Sequence, residues 1–249
     1  MGKIILKDIS TRAPKEFDKA VTKEKTTGML AEFRELQNLL FASAKHSLLV
    51  VIQGMDASGK DGAIRNVFSS VNPQGVMVTS FKVPTEEELS HDFLWRIHEH
   101  APAKGMIQIF NRSHYEDVLV TRVHRWCDDN TAIKRMKAIN DFEELIATHN
   151  NTHILKFYLH VSAEEQQSRL QERIKDPAKM WKYNEKDFGE AALYDTYHRM
   201  YEDCFEHCGK YPWTIVPADQ NWYKEFIMLK EITDTLRSLD MQFPGLKQK

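Results

Sequence analysis

The segment SLLVVIQGMDASGKDG (Ser47–Gly62) joins two patterns, and their junction decides the fold. Ser47–Gln53 is a short, nearly uninterrupted apolar run, the composition of a central strand buried on both faces of a parallel sheet. It leads directly into G-x-x-x-x-G-K (Gly54–Lys60), after which Lys60–Val71 reads as a helix. A strand, a glycine-bearing turn and a helix start in that order bring backbone N–H groups and the positive end of a helix dipole to one point. Such a cradle suits a phosphoanhydride, with Lys60 neutralising its bridging charge. Gly54, Ala57, Ser58, Gly59, Asp61, Gly62 and Arg65 complete the candidate phosphate-binding set. A coincidental glycine turn is the competing reading, and it leaves the strand, the spacing and the lysine unexplained together.

Two positions depart from the usual loop. Asp61 stands where a Ser or Thr hydroxyl normally reaches Mg²⁺, and Asp56 places a carboxylate inside the loop. Carboxylates beside phosphates make sense when a metal lies between them, so Asp56 is read as a Mg²⁺ ligand. Asp61 is either a ligand to metal or water, or a charge favouring the helix N-terminus.

Working outward, Met29–Lys45 has helical periodicity, and Val76–Val83, Gly105–Phe110, His153–Val161 and Trp213–Ala218 read as further strands. Helices are predicted from Thr85 to about His100, over His114–His124 and Thr131–His149, after Ser162, and over Trp222–Leu239. Thr85 with Glu88 and Ser162 with Glu165 form capping boxes. Strands alternating with helices predict an α/β protein, a three-layer α/β/α sandwich on a mostly parallel five-stranded sheet. Residues 1–27 read as an N-terminal arm and 28–249 as a single domain. Ligands in such sheets bind at the carboxyl ends of the strands.

Composition narrows the function classes. With 249 residues, 42% apolar and 28% charged, the chain has the makeup of an ordinary folded protein. A formal net charge of −2 argues against a nucleic-acid binder, so a polyanion partner requires a local basic patch. Three cysteines point to a reducing, cytoplasmic setting, and apolar runs no longer than Leu48–Ile52 predict no membrane span.

Two further motifs extend the site. In FNRSHYEDVLVTRVHR (Phe110–Arg125), Asp117 follows a strand end where it could hold a metal, and Arg112 and Arg122 could reach phosphate oxygens. The alternative is a solvated helix start, with Glu116 and Asp117 serving the dipole. Between Arg169 and Lys186, six basic residues face three acidic ones. Arg169 and Arg173 share a helix face, and Lys179 and Lys182 follow in the adjoining loop, the makeup of a lid over phosphates. An ordinary charged surface is its alternative.

Together GMDASGKDG, FNRSHYEDVLVTRVH, RLQERIKDPAKMWKYNEKD and PWTIVPAD resemble the motifs of the type-2 polyphosphate kinases, from about Leu30 to Leu239. The resemblance implies a P-loop kinase fold related to thymidylate kinase, with a helical lid over about residues 169–190. It implies reversible Mg²⁺-dependent transfer between inorganic polyphosphate and nucleoside mono-, di- and triphosphates, by a homodimer or homotetramer. On it, Asp56 and Asp117 look like metal-binding acids and Lys60, Arg112 and Arg122 like phosphate ligands. Asp61 looks like a family feature, and Glu116 in HYEDV resembles the subclass that accepts both AMP and ADP. An ATP-dependent nucleoside monophosphate kinase and a slow nucleotide switch are the rival readings. The switch lacks an N-K-x-D motif, and the loop carboxylate weighs against an ATP donor.

Overall fold

In the computed structural model, which describes residues 3–246, ten helices and five strands alternate. In chain order they are α1 (Lys19–Ser43), β1 (Ser47–Gln53), α2 (Lys60–Val67), β2 (Val76–Ser80), α3 (Glu86–Ser90), α4 (Trp95–His98) and β3 (Ile107–Asn111). Then follow α5 (Val120–Val123), α6 (Asp129–Asn150), β4 (Thr152–His160), α7 (Ala163–Lys175), α8 (Lys186–Ala191), α9 (Tyr194–His207), β5 (Trp213–Pro217) and α10 (Asn221–Ser238). The sheet order is β2-β3-β1-β4-β5, and every pair is parallel.

β1 is central and buried along its whole length, as its apolar run requires. Its alternate residues enter two cores. Leu48, Val50 and Ile52 pack with α1, α2 and α10, whereas Leu49 and Val51 face α6 and α9. Connections from β1 and β3 leave toward opposite edges of the sheet, so the crevice between their carboxyl ends is the topological switch point where a ligand fits. The loops after Gln53 and Asn111 meet there.

Several boundaries differ from those read in the sequence. α1 starts at Lys19 and not Met29, because Asp18 Oδ1 accepts hydrogen bonds from the N–H groups of Ala20 and Val21. The arm therefore ends at residue 18, and part of it is a strap. Leu6 is buried, Ile9 O lies 3.2 Å from His160 Nε2, and Thr11 Oγ1 donates to Asp219 Oδ2 at 2.8 Å. The predicted Thr85–His100 helix is split into α3 and α4, and His114–His124 into a 3₁₀ turn (His114–Val118) followed by α5. Thr85 and Glu88 do form a reciprocal capping box. Ser162 caps α7, but Glu165 turns instead to Arg169 Nε at 2.8 Å.

Under the sheet lies a buried polar cluster that anchors the turn after β3. Lys156 Nζ of β4 donates to Glu143 Oε2 (2.9 Å), Tyr115 Oη (2.8 Å) and Cys208 O (2.9 Å). Burial alone would raise the Glu143 pKa, but Lys156 and His114 outweigh it and hold the carboxyl below its ordinary 4.5. Lys156→Met leaves that carboxylate buried without its cation and is expected to cost about 3 kcal/mol in urea unfolding at pH 7. Because the folded-state pKa is depressed, Glu143 stabilises the fold fully above pH 4.5 and loses that contribution as the pH falls through the folded value. The difference between wild type and variant is therefore expected to narrow on acidification.

Candidate active site

The loop after β1 takes its shape from backbone conformations that few residues tolerate. Gly59 has φ +94°, Ala57 sits at φ 61°, and across the crevice Arg112 sits at φ 63°. Two non-glycine residues in the left-handed region on facing strand ends mark the point where the fold accepts local strain.

Arg169 fixes the loop from α7. Its Nη1 donates to Ala57 O (3.1 Å) and Ser58 O (3.0 Å), and its Nη2 to Ala218 O (2.7 Å) and Asp219 O (3.0 Å). One guanidinium thus ties the phosphate loop to the end of β5. Read in the sequence as a lid cation, it borders the cleft with most of its donors spent on backbone. Gln166 Nε2 holds Asp56 O at 2.9 Å from the same helix.

Lys60 is buried, and its Nζ donates to Gly54 O at 2.6 Å and Met55 O at 3.1 Å. Burial, followed by repulsion from Arg112, lowers its pKa to about 8. Arg112 Nη2 meets Asp56 Oδ1 at 2.5 Å, and its Nη1 lies 3.4 Å from Glu116 Oε2. Glu116 and Asp56 keep that guanidinium charged. Asp61 accepts from Lys182 Nζ at 2.9 Å and from Asn111 Nδ2 at 3.0 Å, so it links α2, β3 and the basic segment. Burial acts against its ionisation, yet those two donors bring its pKa below the ordinary value. In the basic segment, Arg173 Nη1 meets Asp187 Oδ2 at 2.5 Å and Lys179 Nζ meets Glu172 Oε2 at 2.6 Å.

These residues line one cleft of about 740 Å³ at the switch point. Lys60, Arg65, Arg112, Arg169, Arg173, Lys179 and Lys182 all border it, with Asp56, Ala57, Gly59, Asp61 and Gly62. Counting Lys82 and Lys224, nine cations face four carboxylates there, in a chain whose formal net charge is −2. A smaller recess on the other side of the Arg112–Asp56 pair is lined by Gly54, Glu116, Gln166, Tyr197 and Tyr201. With the Gln53 amide oriented to suit its neighbours, its nitrogen donates to Glu116 Oε1 at 2.9 Å and aims that carboxylate at the recess.

Three expected site residues lie elsewhere. Ser58 is fully buried beneath the loop. Asp117 does not border the cleft: its Oδ2 is 3.6 Å from Arg96 Nη2, Arg135 Nη1 donates to its backbone carbonyl, and burial raises its pKa. The 3₁₀ geometry of His114–Val118 sends Glu116 and Asp117 in different directions. Arg122 is taken up by Asp203 (2.6 Å) and Asp129 (2.8 Å), a structural tie between α5, α6 and α9. Conversely, Lys82, Asn111, Asn221 and Lys224 border the cleft without having been singled out. Lys82 and Asn111 sit at strand ends, where the topology predicts ligands. Lys224 lies four residues before Met228 and eight before Ile232, a lysine on an apolar helix stripe.

The sequence and the fold that carry this cleft are matched by known proteins. Residues 16–244 match the family described as polyphosphate kinase 2. This chain belongs to the polyphosphate kinase 2 family. The AMP/ADP-polyphosphate phosphotransferase of Meiothermus ruber is 49% identical over 212 residues, covering 84% of this chain and 79% of its own. The ADP-polyphosphate phosphotransferase of Rhodopseudomonas palustris is 42% identical over 224 residues, covering 84% and 77%. The crystal structure of polyphosphate kinase 2 from Arthrobacter aurescens TC1 superposes with a TM-score of 0.95 at 38% identity, over 100% of this chain and 90% of that one. The fold is that of polyphosphate kinase 2.

In this member of the family the Arg169 tie has a measurable role. Arg169→Lys keeps the charge but loses the planar fork, and is expected to lower stability by about 2 kcal/mol in thermal denaturation. Faster hydrogen exchange across residues 54–60 should accompany it.

Proposed function

We propose that this protein transfers phosphoryl groups reversibly between inorganic polyphosphate and both AMP and ADP. The observation that carries the proposal is the cleft's charge, nine cations against four carboxylates around a phosphate loop, which suits a flexible polyanion with little apolar body. The name of the Meiothermus relative carries both acceptors and that of the Rhodopseudomonas relative carries ADP, which supports this reading. Glu116 in the recess beside Arg112 is the residue we assign to acceptor choice.

The acceptor's phosphate oxygen is already ionised, so transfer needs positioning and charge neutralisation more than a general base. The loop N–H groups and Lys60 hold one phosphoanhydride. Arg112, drawn between Asp56 and Glu116, stands where cleft and recess meet and is placed to bind the group in transfer. Arg173, Lys179 and Lys182 each carry a carboxylate partner that an incoming phosphate replaces, and the segment bearing them excludes water.

Mg²⁺ fits the donor set of the cleft. Asp56 and Asp61 border it with carboxylate oxygens, and this ion commonly takes one or two carboxylates together with substrate phosphates. Bound there, it would neutralise charge developing on the phosphoryl oxygens. Asp117, set against Arg96 and outside the cleft, is better read as fixing the turn that carries Glu116. A cytoplasmic homo-oligomer is the form we propose for the enzyme; the cysteines Cys127, Cys204 and Cys208 are free thiols, in keeping with a reducing compartment.

Purified protein with Mg²⁺ and AMP or ADP, given polyphosphate in one reaction and ATP in another, tests the proposal by chromatography of the products. ADP and ATP should form with polyphosphate, and transfer from ATP alone would refute it. Lys60→Ala is expected to lower turnover by about 10²-fold or more while leaving the fold intact by circular dichroism. Glu116→Asn is expected to lower the rate with AMP more than the rate with ADP, read as the ratio of kcat/KM values.

A further inference from the structure

One lysine of the cleft is set apart from the others by what it lacks. Lys224, in the first turn of α10, is buried yet borders the cleft. Its Nζ donates to Gly59 O at 3.2 Å and to Asn221 Oδ1 at 2.9 Å, which leaves one N–H unspent. Arg112, Arg173, Lys179 and Lys182 each hold a carboxylate within 3.4 Å. Among the described residues Lys224 has no carboxylate within ion-pair distance. The charged groups around it are Arg169 and Lys60, which oppose its charge, and Glu225 and Glu165, which favour it from farther away. Burial, then Arg169, lowers its pKa to about 8.

A buried ammonium without a counter-ion is costly to a fold, and the cost is recovered when an anion arrives. The phosphate loop is shaped around this ammonium. A Cβ on Gly59 would collide with Lys224 Nζ and come within 3.5 Å of Arg169 Nη1. The second glycine of the loop therefore serves two ends, its φ of +94° and the close approach of Lys224.

We propose that Lys224 is a second phosphate-binding lysine, supplying fixed charge and its free N–H to the phosphoanhydride chain of the polyphosphate donor seated on Gly54–Lys60. It lies against Gly59 of the loop that seats the phosphoanhydride and away from Glu116, which assigns it to the donor. The inference rests on the polyphosphate reading given above.

Three variants test it: Lys224→Gln, which keeps donors for Gly59 O and Asn221 Oδ1 without the charge, Lys224→Met and Lys224→Arg. Calorimetric titration with inorganic tripolyphosphate, without nucleotide, should show binding about ten- to a hundredfold weaker in the Gln and Met variants. In the coupled assay the KM for polyphosphate should rise, the KM for AMP should stay unchanged, and Lys224→Arg should retain most of the affinity. Thermal midpoints of the Gln and Met variants should equal or exceed that of wild type, because a buried unpaired charge has been removed. Unchanged tripolyphosphate affinity in Lys224→Gln would overturn the proposal, as would a rise in the AMP KM alone or loss of fold in both neutral variants, which would make Lys224 a prop for Gly59. Wild-type protein that neither binds tripolyphosphate nor uses polyphosphate would instead overturn the functional reading and this inference with it.

Discussion

Like charges repel, and a site for a polyanion must hold many of them together before the polyanion arrives. Nine cations border the cleft in a protein whose formal net charge is −2. Folded domains are stable by only about 5–15 kcal/mol, so such a cluster stays folded only when most of its charges are compensated. Asp56 takes Arg112, Asp187 takes Arg173, Glu172 takes Lys179 and Asp61 takes Lys182. Arg169 is satisfied by four backbone carbonyls and Glu165. The carboxylates of the site are in this sense stand-ins for phosphate. Each lies on a different element from its cation or on a neighbouring turn, so the pairs that hold the charges also hold the loop, the strand ends and the basic segment in place.

The scaffold repeats the same economy with permanent partners. Lys156, Glu143, Tyr115 and His114 form a buried cluster beneath the turn after β3, and that turn carries Glu116. Arg122 serves α5, α6 and α9 through Asp129 and Asp203. Neither set borders the cleft, yet the first anchors the turn that directly follows Arg112, which adopts a left-handed conformation at the end of β3. Strain at one residue persists only where its surroundings hold it, and the buried cluster under the turn, with Asp56 and Glu116 on the guanidinium, contributes that constraint.

Much of this was legible in the sequence, and the boundary of legibility has a physical origin. The apolar run Ser47–Gln53 followed by G-x-x-x-x-G-K announces a buried parallel strand and a phosphate cradle because both depend on local chemistry. The alternation of strands and helices carries the rest of the layering. What sequence spacing could not reveal is direction. Glu116 and Asp117 are neighbours, but a 3₁₀ turn sends one to the recess and the other to Arg96. Arg169 and Arg173 share a helix face as expected, but only the tertiary position of α7 decides that Arg169 meets carbonyls while Arg173 meets Asp187. Lys224 stands on an apolar stripe, a pattern that acquires meaning only once the start of α10 is seen to lie against Gly59.

The two unusual loop carboxylates follow from the same constraint. A hydroxyl at position 61 could reach a metal, but it could not neutralise Lys182 across the cleft, and a neutral residue at 56 would leave Arg112 facing Lys60 with less compensation. A carboxylate can do both jobs in turn. It pairs with a cation in this structure, and in the function proposed above, once phosphate takes that cation, it would be free to meet a divalent ion carried by the phosphates. The exchange trades internal ion pairs for external ones with little net change in the number of paired charges. A site built on such an exchange gains little from holding its anion permanently, which suits the reversible transfer proposed above.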